Sequence, residues 1–192
     1  MNTKPASLKL STLLSAVKES ELFWIISFSI LTAIAAQISI PVKPVPFSLQ
    51  TMMVLLAGGF LGAKNGAYSQ VLYIFLGIIG LPVFAQTADG TMGIARIIGP
   101  TGGYLLAFPL AAFLVGYLTE KSQKYFDVII SMFVAECLVI FLGSLYLYAA
   151  YLHNFLKAVE TGAGIFTIWM VIKVFLAATI YFSVSKKQQR LP

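Results

Sequence analysis

The chain has 192 residues, 59% of them hydrophobic and 10% charged, with a formal net charge of +6. Soluble domains carry about 25% charged residues, so this composition argues against a soluble enzyme, a nucleic-acid binder and a disordered chain. At about 20 apolar residues per bilayer crossing, the length accommodates roughly six crossings in one membrane domain, with no room for a second, soluble one.

Residues 1–20 lack both a long apolar core and a small-residue cleavage site, and do not read as a cleaved signal. Leu8, Leu10, Leu13, Leu14 and Val17 recur at roughly helical spacing, which predicts a short helix lying on the inner membrane face. Six hydrophobic segments follow, at about 22–40, 49–62, 67–81, 103–118, 126–152 and 165–184. The second and third are short and joined only by Ala63, Lys64, Asn65 and Gly66. Pro100 precedes the fourth, near a helix start where proline is tolerated. The predicted fold is an all-α membrane protein with six transmembrane helices over 22–184, flanked by a cytoplasmic segment over 1–20 and a cytoplasmic tail over 185–192.

The cations set the orientation. With the N-terminus inside, Lys4, Lys9, Lys18, Lys64, Lys121, Lys124, Lys186, Lys187 and Arg190 face the cytoplasm, and only Lys43, Arg96 and Lys157 face out. This asymmetry places both termini in the cytoplasm of a multi-pass protein. The outer connections IPVKPVPFS and PVFAQTADGTMGIARIIGPTGG are rich in Gly and Pro. A long irregular stretch in a compact domain is usually functional, here as a lid or pocket wall. No internal repeat is visible, which argues against a carrier built from inverted halves.

Few residues offer chemistry. Nucleotide-binding and zinc-peptidase motifs are absent, and no two acids pair at catalytic spacing within a helix. Cys137 and His153 are each single, so neither a thiol metal cluster nor a histidine site is expected, and no cofactor is implied. Lys173 and Glu136 lie inside apolar segments, where a charge is costly and usually faces the protein interior. Lys173 reads either as a ligand contact or as a structural partner of Glu136. Arg96, with its two parallel donors, suits an anionic ligand; the other reading is a solvated loop cation. In GPTGGY, Gly102 and Gly103 allow close backbone approach, the helix start favours negative charge, and Thr101 is a candidate cap ahead of Tyr104. Gln50, Gln70 and Tyr73 read either as contacts to an amide- or urea-like ligand or as interhelical hydrogen bonds. The small residues Ser29, Thr32, Ala33 and Ala36, and likewise Ala112 and Gly116, permit close helix contact, with a partner protein or internally.

PVPFSLQTMMVLLAGGFLGAKNGAYSQVLYIFLGIIGLPVFA, followed by GPTGGYLLAFPLAAFLVGYL, resembles the BioY family, the biotin-specific S components of energy-coupling factor vitamin transporters. The resemblance covers about 40–118, more weakly the remainder, and rests on PVPxxLQ, GLPVFA and GPTGGYL in this order. It implies a six-helix S-component fold with an outward pocket that captures biotin. It also implies a transmembrane coupling subunit and two cytoplasmic ATPases as partners, with Ser29, Thr32, Ala33 and Ala36 facing the coupling subunit. The family's last helix usually carries Asp-x-x-Lys for the ligand; here Lys173 matches, but Met170 stands in the acid's place. Glu136, Gln50 and Gln70 are the candidate replacements. The competing expectations are an S component for another small vitamin and a ligand-free membrane scaffold.

Overall fold

The structure, a computed structural model, describes residues 20–42, 45–87, 90–160 and 166–185. The inner-face helix expected near the N-terminus, the C-terminal tail and most of the cations used for orientation lie outside the described residues. The described chain is mostly helical. Helix α1 (Glu21–Gln37) leads into a ribbon of β1 (Ser39–Ile40) and β2 (Phe47–Ser48), paired antiparallel with Ser39 opposite Ser48. Helix α2 (Gln50–Ile78), the short α3 (Ile94–Ile98), α4 (Gly102–Lys121) and α5 (Tyr125–Leu147) follow. A π-helical turn over Tyr148–Leu152 extends α5, and α6 (Phe155–Val159) and α7 (Phe166–Ser185) complete the fold. The first hydrophobic segment was expected to stay helical to residue 40. It stops at Gln37, and Ser39–Ile40 pair as β1 instead, with Ile40 extended as the residue before Pro41 prefers.

Helix α2 is two limbs, 50–61 and 63–78, broken at Gly62, whose φ of 79° and ψ of −175° are not helical. A Cβ placed on Gly66 would stand 2.9 Å from the Gly58 Cα, so the second limb folds back along the first. The four-residue connection expected at 63–66 is therefore helical, and the reversal is made at one residue. Only glycine takes this backbone conformation readily. The opening of the second limb is satisfied by Glu120, whose Oε1 accepts the Ala63 N–H at 2.9 Å.

Helix α4 packs along this hairpin almost backbone to backbone. A Cβ on Gly58 would lie 2.3 Å from the Ala112 carbonyl oxygen, and one on Gly116 the same distance from the Ala63 nitrogen. Ala112 and Gly116 thus serve internal packing. Helix α1 lies on the other side, where Gln70 Nε2 donates to Thr32 Oγ1 at 3.3 Å. Ser29, Thr32 and Ala36 are fully buried there and Ala33 is half-buried. Ser29, Thr32 and Ala36, expected at a partner subunit, are enclosed by the chain itself, and of the four only Ala33 keeps partial exposure. The outward face of α1 carries Leu22, Ile26, Ile30 and Ile34 instead.

Many large apolar side chains are exposed. Phe75, Phe126, Phe141 and Leu156 all point outward. Helices apolar all round belong in lipid or a large interior. Among the described residues, α4 and the extended α5 (Tyr125–Leu152) are long and apolar enough to cross a bilayer, while α1 and Trp169–Ser185 are shorter apolar helices.

Replacing Gly62 by alanine forces a side chain into a glycine backbone region and sets its Cβ 2.5 Å from Glu120 Oε1. The expected cost is about 1–3 kcal/mol, read as a lower unfolding midpoint in detergent. An unchanged midpoint would contradict the hairpin.

Candidate functional site

A small cavity of about 50 Å³ opens between the β2 region, the first turn of α2, α3, and helices α4, α5 and α7. Ligand pockets are mostly apolar with a few placed polar groups. Val45, Pro46, Leu105, Phe108, Val139 and Ile140 supply the apolar wall here. The polar set is Ser48, Gln50, Thr51, Arg96, Thr101, Tyr104, Glu136 and Lys173.

The charged pair comes from the middles of α5 and α7. Lys173 Nζ lies 2.7 Å from Glu136 Oε1, and both side chains are almost wholly buried. Burial of one alone would be costly; together they neutralise each other. Thr51, in the first turn of α2, ties the pair to a third element. Its hydroxyl donates to Glu136 Oε1 at 2.8 Å and accepts from Lys173 Nζ. Sequence reasoning passed over Thr51. Its only sequence signal was its place next to Gln50, at a helix start following an outer loop. Met170, where the family pattern has an acid, is buried in the hydrophobic core, so the carboxylate beside Lys173 comes from another helix.

Arg96 is 3% exposed, which removes the reading of a solvated loop cation. The short helix α3 turns it inward, and its guanidinium donates to the Ala85 carbonyl. This contact is one of several that fix the extended stretch 82–85. Tyr73 donates to the Val83 carbonyl at 3.0 Å, and Gln37 Nε2 donates to the carbonyls of Pro82 at 3.2 Å and Phe84 at 3.5 Å. Side chains of α1, α2 and α3 thus hold all four carbonyls. Phe84 seats its ring against Gly77, where a Cβ would meet it at 2.0 Å, and packs edge-on to Tyr73. A second cavity, lined by Gln37, Leu81, Thr87, Thr91 and Met92 among others, lies on this stretch.

The structure gathers Gln50, Arg96, Thr101, Tyr104, Glu136 and Lys173 around one cavity; it does not bring the other candidates to its wall. Tyr73 stands behind Gln50, whose Nε2 donates to the tyrosine hydroxyl, and so acts on the site through Gln50 and through the 82–85 stretch. Gln70 is buried against Thr32 and Ser69. Gly102 and Gly103 are packing glycines. A Cβ on Gly102 would lie 1.7 Å from the Ile97 carbonyl oxygen, and one on Gly103 would lie 2.3 Å from the Tyr146 Cβ. Thr101 occupies the N-cap position of α4, but its side chain makes no capping bond; its hydroxyl donates back to the Arg96 carbonyl at 3.3 Å. Tyr104 lies over Gly143 and exchanges a hydrogen bond with Ser144 at 3.3 Å.

The comparisons with known proteins bear on this arrangement. The BioY family model matches residues 6–190, and the chain belongs to the BioY family. A protein of Thermotoga maritima named biotin transporter BioY is 38% identical over 159 residues, covering 83% of this chain and 92% of that one. A probable biotin transporter BioY of Pyrococcus horikoshii is 42% identical over 118 residues, covering 62% of this chain and 70% of its own length. A crystal structure described as the S-component for biotin from an ECF-type ABC transporter superposes with a TM-score of 0.80 at 27% identity, covering 98% of this chain and 97% of that one. The chain is therefore a membrane protein with the S-component fold.

Two outcomes follow from the geometry. Lys173→Met leaves Glu136 buried and unpaired, and should destabilise by about 3–5 kcal/mol, whereas Lys173→Met with Glu136→Gln should cost much less. Unfolding midpoints in detergent test this, and an additive double variant would refute the pair. Tyr73→Phe keeps the ring contacts but removes the bond to Val83. Amide exchange across 82–87 should then accelerate in the ligand-free protein, with the helices unchanged.

Proposed function

We propose that this chain is the biotin-binding S component of an energy-coupling factor transporter, a transport protein and not an enzyme. Biotin carries a carboxylate, an apolar bicycle with an alkyl tail, and a ureido ring. The cavity offers a matching set: buried Arg96 for the carboxylate, an apolar wall for the body, and Lys173 with Gln50 for the ureido ring. Thr101 and Tyr104, at the start of α4, add hydroxyl groups to the cavity wall near Arg96. The observation that carries the reading is one apolar cavity holding both a buried arginine and a buried Lys–Glu pair. The similarity to a biotin transporter and to an S-component for biotin supports the ligand.

In this reading α1, the two limbs of α2, α4, α5 and α7 are the six crossings, with both termini in the cytoplasm of a bacterial cell and the cavity facing out. The limbs of α2 are short for crossings, and burial against α1 and α4 lets them cross within protein. A transmembrane coupling subunit and two cytoplasmic ATPases supply the energy, in keeping with the absence of nucleotide motifs from this sequence.

Calorimetric titration of the detergent-purified protein with biotin tests the reading. Saturable binding is expected, with a higher unfolding midpoint above the dissociation constant. Arg96→Ala should weaken binding at least tenfold, since a buried charge-assisted hydrogen bond is lost. Heat with a different vitamin and none with biotin would indicate an S component for that vitamin. Silence across a vitamin panel would indicate a scaffold.

A further inference from the structure

The buried ion pair is lopsided. Both donors aimed at Glu136, the Lys173 ammonium and the Thr51 hydroxyl, converge on Oε1. Oε2 is buried and has no hydrogen-bond partner among the described residues. A buried carboxylate oxygen left unpaired is costly. Lys173 has three N–H donors, and two are accounted for, by Glu136 and Thr51. A carboxylate oxygen in want of a donor therefore belongs to the same pair as an ammonium with a donor to spare, and both residues line the cavity.

We propose that Glu136 Oε2 and the third Lys173 N–H form a fixed acceptor–donor pair that reads the N–H and C=O edge of a cyclic urea or lactam, and that Thr51 sets the pair's register. This rests on the function proposed above and assigns atoms within it. The chemistry is complementary in one sense only: the ring N–H donates to Oε2, and the ring carbonyl accepts from Lys173. Thr51 is a positioning residue. By engaging Oε1 and Nζ together, it stops the ammonium from swinging onto Oε2 and closing the pair on itself. A ligand whose N–H is lost leaves Oε2 unpaired in the cavity, so rejection comes from the protein's own unsatisfied group. Sites built in this way discriminate far more strongly than apolar pockets.

The experiment titrates the full-length protein in detergent with biotin, with biotin methylated at one or the other ureido nitrogen, and with a fatty acid of the same tail length lacking the ring. In the wild type, one of the two methylations should weaken binding by at least a hundredfold. In Glu136→Gln that penalty should fall at least tenfold. Thr51→Val, which keeps the side-chain volume, should lower the preference for biotin over the fatty acid by at least tenfold, and Thr51→Ser should restore it. A methylation penalty that stays the same in Glu136→Gln, or a preference unmoved in Thr51→Val, overturns the assignment while leaving biotin as the ligand. If Glu136→Gln fails to fold, the Thr51 pair decides alone. Wild-type protein that binds no biotin but binds another cyclic urea or lactam overturns the ligand and upholds the edge readout. Binding of neither overturns both.

Discussion

Everything at the centre of this protein depends on the fact that an apolar surrounding provides no partner for a polar group. An ammonium and a carboxylate in the middles of α5 and α7 persist because they meet at 2.7 Å. The hydroxyl of Thr51 then brings in the start of α2. One small hydrogen-bonded cluster thereby fixes how three helices stand relative to one another, and the same cluster forms part of the cavity wall. In the proposed function, stability and recognition draw on the same atoms.

The scaffold around that cluster is built by the opposite device, the removal of side chains. Gly58, Gly66 and Gly116 let the two limbs of α2 and helix α4 approach to backbone contact. Gly62 reverses the chain in a single residue, with Glu120 closing the exposed amide of the next turn. Dispersion between closely packed backbones supplies helix association where lipid offers no hydrophobic gain. The tight hairpin sets the first turn of α2, and with it Gln50 and Thr51, against α4 and α5. The irregular stretch 82–85 closes the arrangement, each of its carbonyls held by a side chain of α1, α2 or α3.

Much of this was legible in the residues. The apolar segments fall where the helices stand, because a helix that meets lipid or core on every side needs little else in its sequence. Lys173 and Glu136 drew notice because a charge inside an apolar run must have a reason. Arg96 drew notice as a bidentate donor in an outer loop. The polar residues Gln70, Gly102 and Gly103 were harder to read, since a buried amide looks the same whether it bonds a ligand or a neighbouring helix, and a glycine looks the same whether a ligand or a carbonyl lies beside it. The small face of α1 was ambiguous for the same reason.

Composition and hydrophobic segmentation alone determined that the chain is helical and lipid-embedded, because those properties depend on each residue's own transfer cost. The motifs PVPxxLQ and GPTGGYL, read in order, indicated the family. Only the tertiary structure decided which polar groups share a cavity, that the carboxylate beside Lys173 comes from α5, and that Thr51 belongs with them. Those facts depend on distances between residues up to 122 positions apart. No local pattern encodes such distances; they exist only once the helices have packed.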